Sequence, residues 1–493
     1  MQSYQILETR FARFADVEGA LGILRWDNDT IMPAGAAGQR AGQLAALSVI
    51  AHELLTAPDM GDLLAEAGSG LDTWQSANLS EMRRQHAHAN CVPADLVEAA
   101  SRAASVCERA WRSARANSDF KGLLPLLAEV LDRQREIGAV KGEALGLAPY
   151  DALLDQYDPG NRMALIDPVF ASLRAGLPGL IAAALEHQQS RPAPITPSGP
   201  FPIAAQKALA ERLMATVGFD AERGRLDIST HPFCGGANDD VRITTRYDES
   251  DFSTALMGVL HETGHALYEQ GRPRDWLSQP AGQARGMAMH ESQSLLIEMQ
   301  ACRSREFMSF LAPLLRESFG GSGPAWEADN LHRRVTRVEP GLIRVDADEV
   351  TYPAHVLVRY DLERRLIAGD LALADLPGAF NDGIHELLGV TVPDDRRGCL
   401  QDIHWSAGLW GYFPTYTLGA ITAAQLFHAA CRDEPALPSC LAQGDFTPLL
   451  RWLRPRVHER ASSVTAAEIV RDATGAPLSA DIYQAHLKRR YLG

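Results

Sequence analysis

The sequence predicts a mostly α-helical catalytic unit with one short antiparallel β-sheet beside a metal-binding helix. Three observations carry this reading. Apolar residues recur every three or four positions along most of the chain, the spacing of one helix face. Two alternating, β-branched segments, Arg225–His231 and Asp240–Tyr247, break that pattern. Directly after them an H-E-x-x-H, His261-Glu262-Thr263-Gly264-His265, lies inside a helical run.

From Gln2 to about His187 the chain reads as helix after helix. Leu44, Leu47, Ile50 and Leu54 share a face of the run from Ala41 to Leu55. The runs from Ala99 to Ala116 and from Leu123 to Gly138 repeat the spacing, with Ser118 and Asp119 as cap candidates between them. His86 and His88 fall in a polar run and are expected to be solvated. The stretch from Gln189 to Pro202 is rich in proline, which cannot continue a helix, and reads as a surface loop.

The two β-branched segments are expected to pair antiparallel, with Cys234-Gly235-Gly236-Ala237-Asn238 as the turn between them. Such a sheet runs straight into the H-E-x-x-H helix, and an edge strand there suits main-chain binding of an extended peptide. Asp248, Glu249 and Asp251 precede that helix, where acidic side chains oppose the positive dipole end and accept orphan N–H groups. Leu256, Val259, Leu260 and Leu267 keep helical spacing, and Gly271 offers a stop.

Residues four apart share a helix face, so His261 and His265 project side by side and form half of a tetrahedral zinc site. Glu262 lies one step round, within reach of a water but badly placed as a ligand. A third ligand is expected from a following helix, and the segment from Met287 to Gln300 supplies Glu291, with Glu298 two turns on as its rival. Three protein ligands leave a fourth position open, the mark of a catalytic zinc site.

From Trp326 onward the chain turns helical again, with a helix opening near Val350–His355 and running through Arg365. The stretch from Gly408 to Gly419 carries Trp410, Tyr412, Phe413 and Tyr416 among glycines and is too irregular for simple core.

Composition bounds the rest. The 493 residues are 46% hydrophobic and 22% charged, ordinary for a globular chain. Net charge is −15, from 47 basic and 62 acidic residues, which argues against a nucleic-acid partner and for a cytoplasmic protein. The first residues lack a basic segment followed by an apolar run, so no signal peptide is expected, and no stretch is expected to span a membrane. Seven scattered cysteines fit a reducing compartment.

These blocks together resemble the carboxypeptidase Taq family of zinc metallocarboxypeptidases. The resemblance rests on H-E-T-G-H followed by His290-Glu291-Ser292-Gln293-Ser294. It also rests on His231-Pro-Phe233, Asp240-Val-Arg242-Ile-Thr244, the run from Ile343 through Arg344 to Asp348, and Gly398-Cys-Leu-Gln401-Asp402-Ile-His404-Trp405. Trp26-Asp27, Met32-Pro33 and the run from Pro149 to Asp155 agree, so nearly the whole chain is covered; Cys234-Gly235-Gly236 after His-Pro-Phe is the one oddity.

The resemblance implies Glu291 as third ligand, a two-lobed zincin with a deep groove walled by residues 1–187, and the zinc-bearing part in residues 203–493. It implies a homodimer acting on peptides, with one zinc per chain and cobalt as the alternative. Glu262 is then the general base, and His404 with Tyr416 or Tyr412 stabilises the oxyanion. A carboxypeptidase must also read the terminal carboxylate with a fixed cation, for which Arg344 is the first choice and Arg242 the second. His231 and Arg242 face the groove in the resemblance; as plain structure they fix a turn and pair with Asp240. A zinc oligopeptidase that cuts internally shares the same motif, and a helical scaffold with a degenerate site is the non-enzymatic alternative.

Overall fold

Twenty α-helices and one three-stranded sheet make up residues 2–493, the part described by the computed structural model. The predicted helical runs appear with longer bounds, as Ala37–Leu55, Ala94–Asn117 and Phe120–Leu145. Ser118 turns the chain in a left-handed conformation, and the Asp119 carboxylate accepts from the Gly122 N–H at 2.8 Å, capping the next helix.

Helix Met163–Gln189 ends where the proline-rich loop begins, and Ile203–Val217 resumes beyond it. Contrary to expectation, Met163–Gln189 is long and apolar enough to cross a membrane by length and composition. Its Ile166, Phe170, Leu173, Leu177 and Leu180 instead pack into the main core. His86 and His88 are not solvated either. His86 Nδ1 lies 2.8 Å from the Leu55 carbonyl and His88 Nε2 lies 2.9 Å from Asp155.

The sheet departs from the antiparallel hairpin. Strand β1 (Gly224–Ile228) pairs parallel with β3 (Asp240–Thr245), and the expected turn is itself a strand, β2 (Cys234–Ala237), antiparallel to β3. The order is β1-β3-β2, a mixed sheet. Residues 229–233 provide the crossover, held where Ser229 Oγ donates to the His231 carbonyl at 2.5 Å and lies 2.7 Å from Thr244 Oγ1. Glycines at 235 and 236 masked the strand, because they carry no alternating side chains to read.

Three cores result. The largest runs from Ala103 to Tyr491; a second gathers Tyr4, Leu7, Phe11, Met60, Leu64, Leu79 and Met82. The third lies under the sheet, where Val241 and Ile243 meet Val259 and Ala266 of the H-E-x-x-H helix. That helix, Phe252–Gly271, has fifteen of its twenty residues buried. A helix buried nearly all round is held rigidly, which a set of ligands needs.

Candidate active site

The motif helix starts at Asp251, whose carboxylate accepts from the Ser253 N–H at 3.0 Å and the Thr254 N–H at 3.2 Å. His261 and His265 then stand one turn apart, ring centroids separated by 5.0 Å. Helix Gly286–Leu295 returns beside them and brings Glu291 to the two rings. Two glycines make that approach close enough. A Cβ on Gly264 would sit 2.5 Å from the Gln293 carbonyl oxygen. A Cβ on Gly419, from helix Pro414–Asp433, would sit 2.8 Å from Glu291 Cβ and Cγ. The helix carrying Glu291 is thus seated between two neighbours at near-backbone contact.

The donor atoms converge. Glu291 Oε2 lies 3.4 Å from His265 Nε2 and 3.8 Å from His261 Nε2, and the three ligand atoms fall within 4.8 Å of one another. Ligands at about 2.0–2.1 Å from a tetrahedral zinc stand about 3.3 Å apart, so the set fits such an ion.

The far side of each ring is committed. His261 Nδ1 lies 3.0 Å from Glu298 Oε2, whose other oxygen takes Arg303 at 2.5 Å. His265 Nδ1 lies 3.0 Å from the His290 carbonyl and 2.7 Å from His290 Nδ1. His290 Nε2 meets Glu269 at 2.9 Å, and Glu269 pairs with Arg272 at 2.7 Å. The contacts are satisfied when both ligand rings carry hydrogen on Nδ1, leaving each Nε2 lone pair free for a metal. Glu298 sits in a π-helical stretch, Leu296–Cys302, whose wider turn carries its carboxylate to the back of His261.

Charge makes the same demand. Burial lowers the His261 pKa, but Glu291, Glu298 and Glu262 outweigh it and carry it to about 10. That proton supplies a positive charge which a divalent ion would otherwise supply. Burial raises Glu291, yet His261 and His265 hold it at about 2. Burial and His290 pull His265 down to about 4. Glu262 is 6% exposed, its Oε2 has no partner, and burial pushes its pKa up to about 7. An unpartnered carboxylate oxygen near neutral pKa is suited to taking and returning a proton.

A second cluster stands across the site. His404 Nε2 lies 3.2 Å from Tyr416 Oη, and the Tyr412 ring is 5.3 Å from that of Tyr416. Burial raises both tyrosines and lowers His404 to about 4, so the phenols keep their protons and the imidazole is neutral. Arg344, 6% exposed, donates from Nε to Asp402 at 2.9 Å and from Nη1 to Tyr352 Oη at 3.0 Å. Its Nη2 is 2.8 Å from the same Asp402 oxygen, while Arg359 takes the other oxygen. Two guanidiniums on one carboxylate leave an excess positive charge beside the tyrosines, and Arg344 keeps one N–H on each terminal nitrogen.

Arg242 is placed otherwise. Both its forks engage Asp240, at 2.8 and 2.6 Å, and its guanidinium lies 4.6 Å over the Trp26 ring. The His231 side chain is exposed, and its backbone carbonyl fixes the crossover. Glu269, Arg359 and the bracing role of His290 were not anticipated from sequence. Only His290 had a signal, as the first residue of its H-E-S-Q-S block. A cavity of about 740 Å³ continues from His290 and Glu269 past β2 to Phe11, Phe14 and His88 of the N-terminal helices.

The family described as carboxypeptidase Taq (M32) metallopeptidase matches residues 6–491. The chain is 39% identical to thermostable carboxypeptidase 1 of Thermus thermophilus, covering 99% of this chain and 98% of the relative. It is 32% identical to carboxypeptidase 1 of Bacillus subtilis, covering 97% and 96%. Among solved structures, Trypanosoma cruzi metallocarboxypeptidase 1 superposes with a TM-score of 0.98 at 41% identity, with both chains wholly covered. The M32 carboxypeptidase of Deinococcus radiodurans R1 superposes at 0.94 with 36% identity, covering 100% of this chain and 99% of the other.

Proposed function

The chain belongs to the carboxypeptidase Taq (M32) family of metallopeptidases, and on that footing we propose that it is a zinc carboxypeptidase in which Glu262 is the general base. The observation that carries this is the convergence of His261 Nε2, His265 Nε2 and Glu291 Oε2 beside an unpartnered Glu262 Oε2. Zinc held by these three residues, or cobalt in its place, would polarise the scissile carbonyl and lower the pKa of a water toward about 7.

The chain's own residues supply the rest. Glu262 Oε2 takes the proton of the attacking water and passes it to the leaving amine nitrogen. Neutral His404 and the protonated Tyr416, with Tyr412 beside it, offer hydrogen-bond donors to the oxyanion, each worth roughly 2.7–4 kcal/mol when well aimed. Arg344 reads the terminal carboxylate with its two remaining N–H groups, backed by the charge that Arg359 adds across Asp402. Arg242, committed to Asp240 and Trp26, braces the sheet instead, and His231 holds the crossover.

Peptides enter along the cavity between the N-terminal helices and the sheet, which we read as the groove of a single catalytic unit. A homodimer is supported by Ile31, Val49 and Ile50, left exposed on and beside helix Ala37–Leu55. The test is a mass-spectrometric time course on an unblocked decapeptide. Sequential loss of C-terminal residues, abolished by chelation and restored by zinc, is expected; internal fragments would favour the oligopeptidase reading.

A further inference from the structure

Behind His261 and Glu298 a chain of buried polar groups leads to the last helix, Ala480–Leu492. The π-helical stretch Leu296–Cys302, which carries Glu298, stops before helix Arg305–Phe319, so its last carbonyls need partners from outside the helix. Ser304 Oγ donates to the Ala301 carbonyl at 2.7 Å. Arg490 takes the two carbonyls before it: Nη1 donates to Met299, and Nη2 to Gln300 at 2.9 Å. Those two residues directly follow Glu298 in the chain.

Arg490 is itself held by the buried Glu349, whose Oε2 accepts from Arg490 Nη1 and from Tyr491 Oη, each at 2.9 Å. Glu349 Oε1 lies 2.8 Å from His486 Nε2 and accepts from Gln300 Nε2 at 2.9 Å. Tyr483 Oη donates to the Glu349 backbone carbonyl at 2.9 Å. Burial raises the Glu349 pKa, but Arg490 and His486 outweigh it and hold the carboxyl well below its usual range. Anchoring of the chain end explains the two tyrosines. It does not explain a buried ion pair, because apolar packing of similar volume holds a helix at least as well. Nor does it explain a guanidinium aimed at the two carbonyls that follow the brace of His261.

We propose that Arg490 is a positioning residue for the metal site, with Glu349 as its seat. Given the reading of His261, His265 and Glu291 as ligands, on which this role rests, the sequence of contacts is short. Arg490 fixes the wide π turn, the turn aims Glu298 Oε2 at His261 Nδ1, and the proton held there leaves His261 Nε2 free for zinc. The guanidinium also opposes the negative dipole end of the helical stretch it caps. Without it two carbonyls lose their donors, which favours a rearranged turn and a misaimed Glu298.

The test is a double-mutant cycle in zinc affinity on the full-length chain, read by competition with a chromophoric chelator. Arg490→Ala should weaken zinc binding by about tenfold, the lower end of the cost of losing an outer partner of a ligand. In a Glu298→Ala background the same change should cost nothing further, because Arg490 acts through Glu298. Arg490→Lys keeps the charge but cannot span both carbonyls, so its loss should be smaller; it carries the same comparison if the alanine variant does not fold. Tyr483→Phe removes another hydrogen bond of the same helix, one that does not reach the π turn, and should keep wild-type zinc affinity. Unchanged affinity in the Arg490 variants, a loss that recurs in the Glu298→Ala background, or an equal loss in Tyr483→Phe would each overturn the assignment. Glu291→Ala, measured alongside, separates the two readings. Zinc retained by that variant would sink the ligand set and this role with it, whereas zinc lost there but not in the Arg490 variants would sink the role of Arg490 alone.

Discussion

Glu298 Oε2 lies 3.0 Å from His261 Nδ1, on the opposite edge of the ring from Glu291. The two glutamates that compete for the third ligand position by spacing alone thus divide the work across one imidazole. Glu291→Ala should abolish tight metal binding. Glu298→Ala should weaken it by about 10–100-fold, the usual cost of losing a bracing partner. Metal content after dialysis against graded chelator gives the order, and a larger loss for Glu298→Ala would exchange the roles.

Glu262→Gln keeps size and burial but removes the proton acceptor. Metal content and melting temperature should match wild type while turnover falls by about 10²–10⁴-fold. Turnover within about tenfold of wild type, with metal retained, would remove Glu262 from the mechanism.

Gly419 allows Glu291 to pack against helix Pro414–Asp433, and an alanine there places a methyl 2.8 Å from Glu291 Cβ. Gly419→Ala should lower both stability, by about 1–3 kcal/mol, and metal affinity, because the displaced side chain is a proposed ligand. At Gly378, inside helix Leu376–Leu388, an added methyl would meet no atom within 4 Å, so Gly378→Ala should be neutral or stabilising by up to about 1 kcal/mol. Equal effects of the two changes on melting temperature would contradict the close packing at Gly419.

Buried neutral histidines set an acid limit. Burial, aided by Arg454, holds His458 at about 3, and burial with Arg359 holds His355 at about 3, against 6.5 for an unburied ring. Between these values the unfolded chain binds more protons than the folded one, so stability rises with pH and is lost on acidification. Each ring contributes a slope of up to about 1.4 kcal/mol per pH unit there. Urea midpoints from pH 7 to 4 should fall accordingly, and His458→Gln should flatten the slope; an unchanged slope would assign the acid limit elsewhere.

The helices and the candidate metal set were legible because both are written locally. Apolar spacing marks a helix face, and His261, Glu262 and His265 lie within five residues. Glu291 was legible as a return contact of the next helix, but its precedence over Glu298 depended on the π-helical stretch, which apolar spacing does not signal. The sheet was misread because the glycines of β2 look like a turn and a parallel pairing leaves no hairpin signature. The sharing of Asp402 by Arg344 and Arg359 joins segments 43 or more residues apart, and no local pattern announces it.

The proposed carboxypeptidase activity requires a free C-terminus, read by Arg344. This requirement is decided by kcat/KM on matched free-acid and C-terminally amidated peptides, for wild type and Arg344→Ala. Losing a buried charge-assisted contact costs about 2–5 kcal/mol, roughly 30- to several thousand-fold at about 1.4 kcal/mol per tenfold. Wild type should therefore prefer the acid by at least about 30-fold, and Arg344→Ala should lose that preference while leaving the slow amide rate unchanged. Equal cleavage of acid and amide by the wild-type enzyme would contradict carboxylate reading and with it the carboxypeptidase assignment.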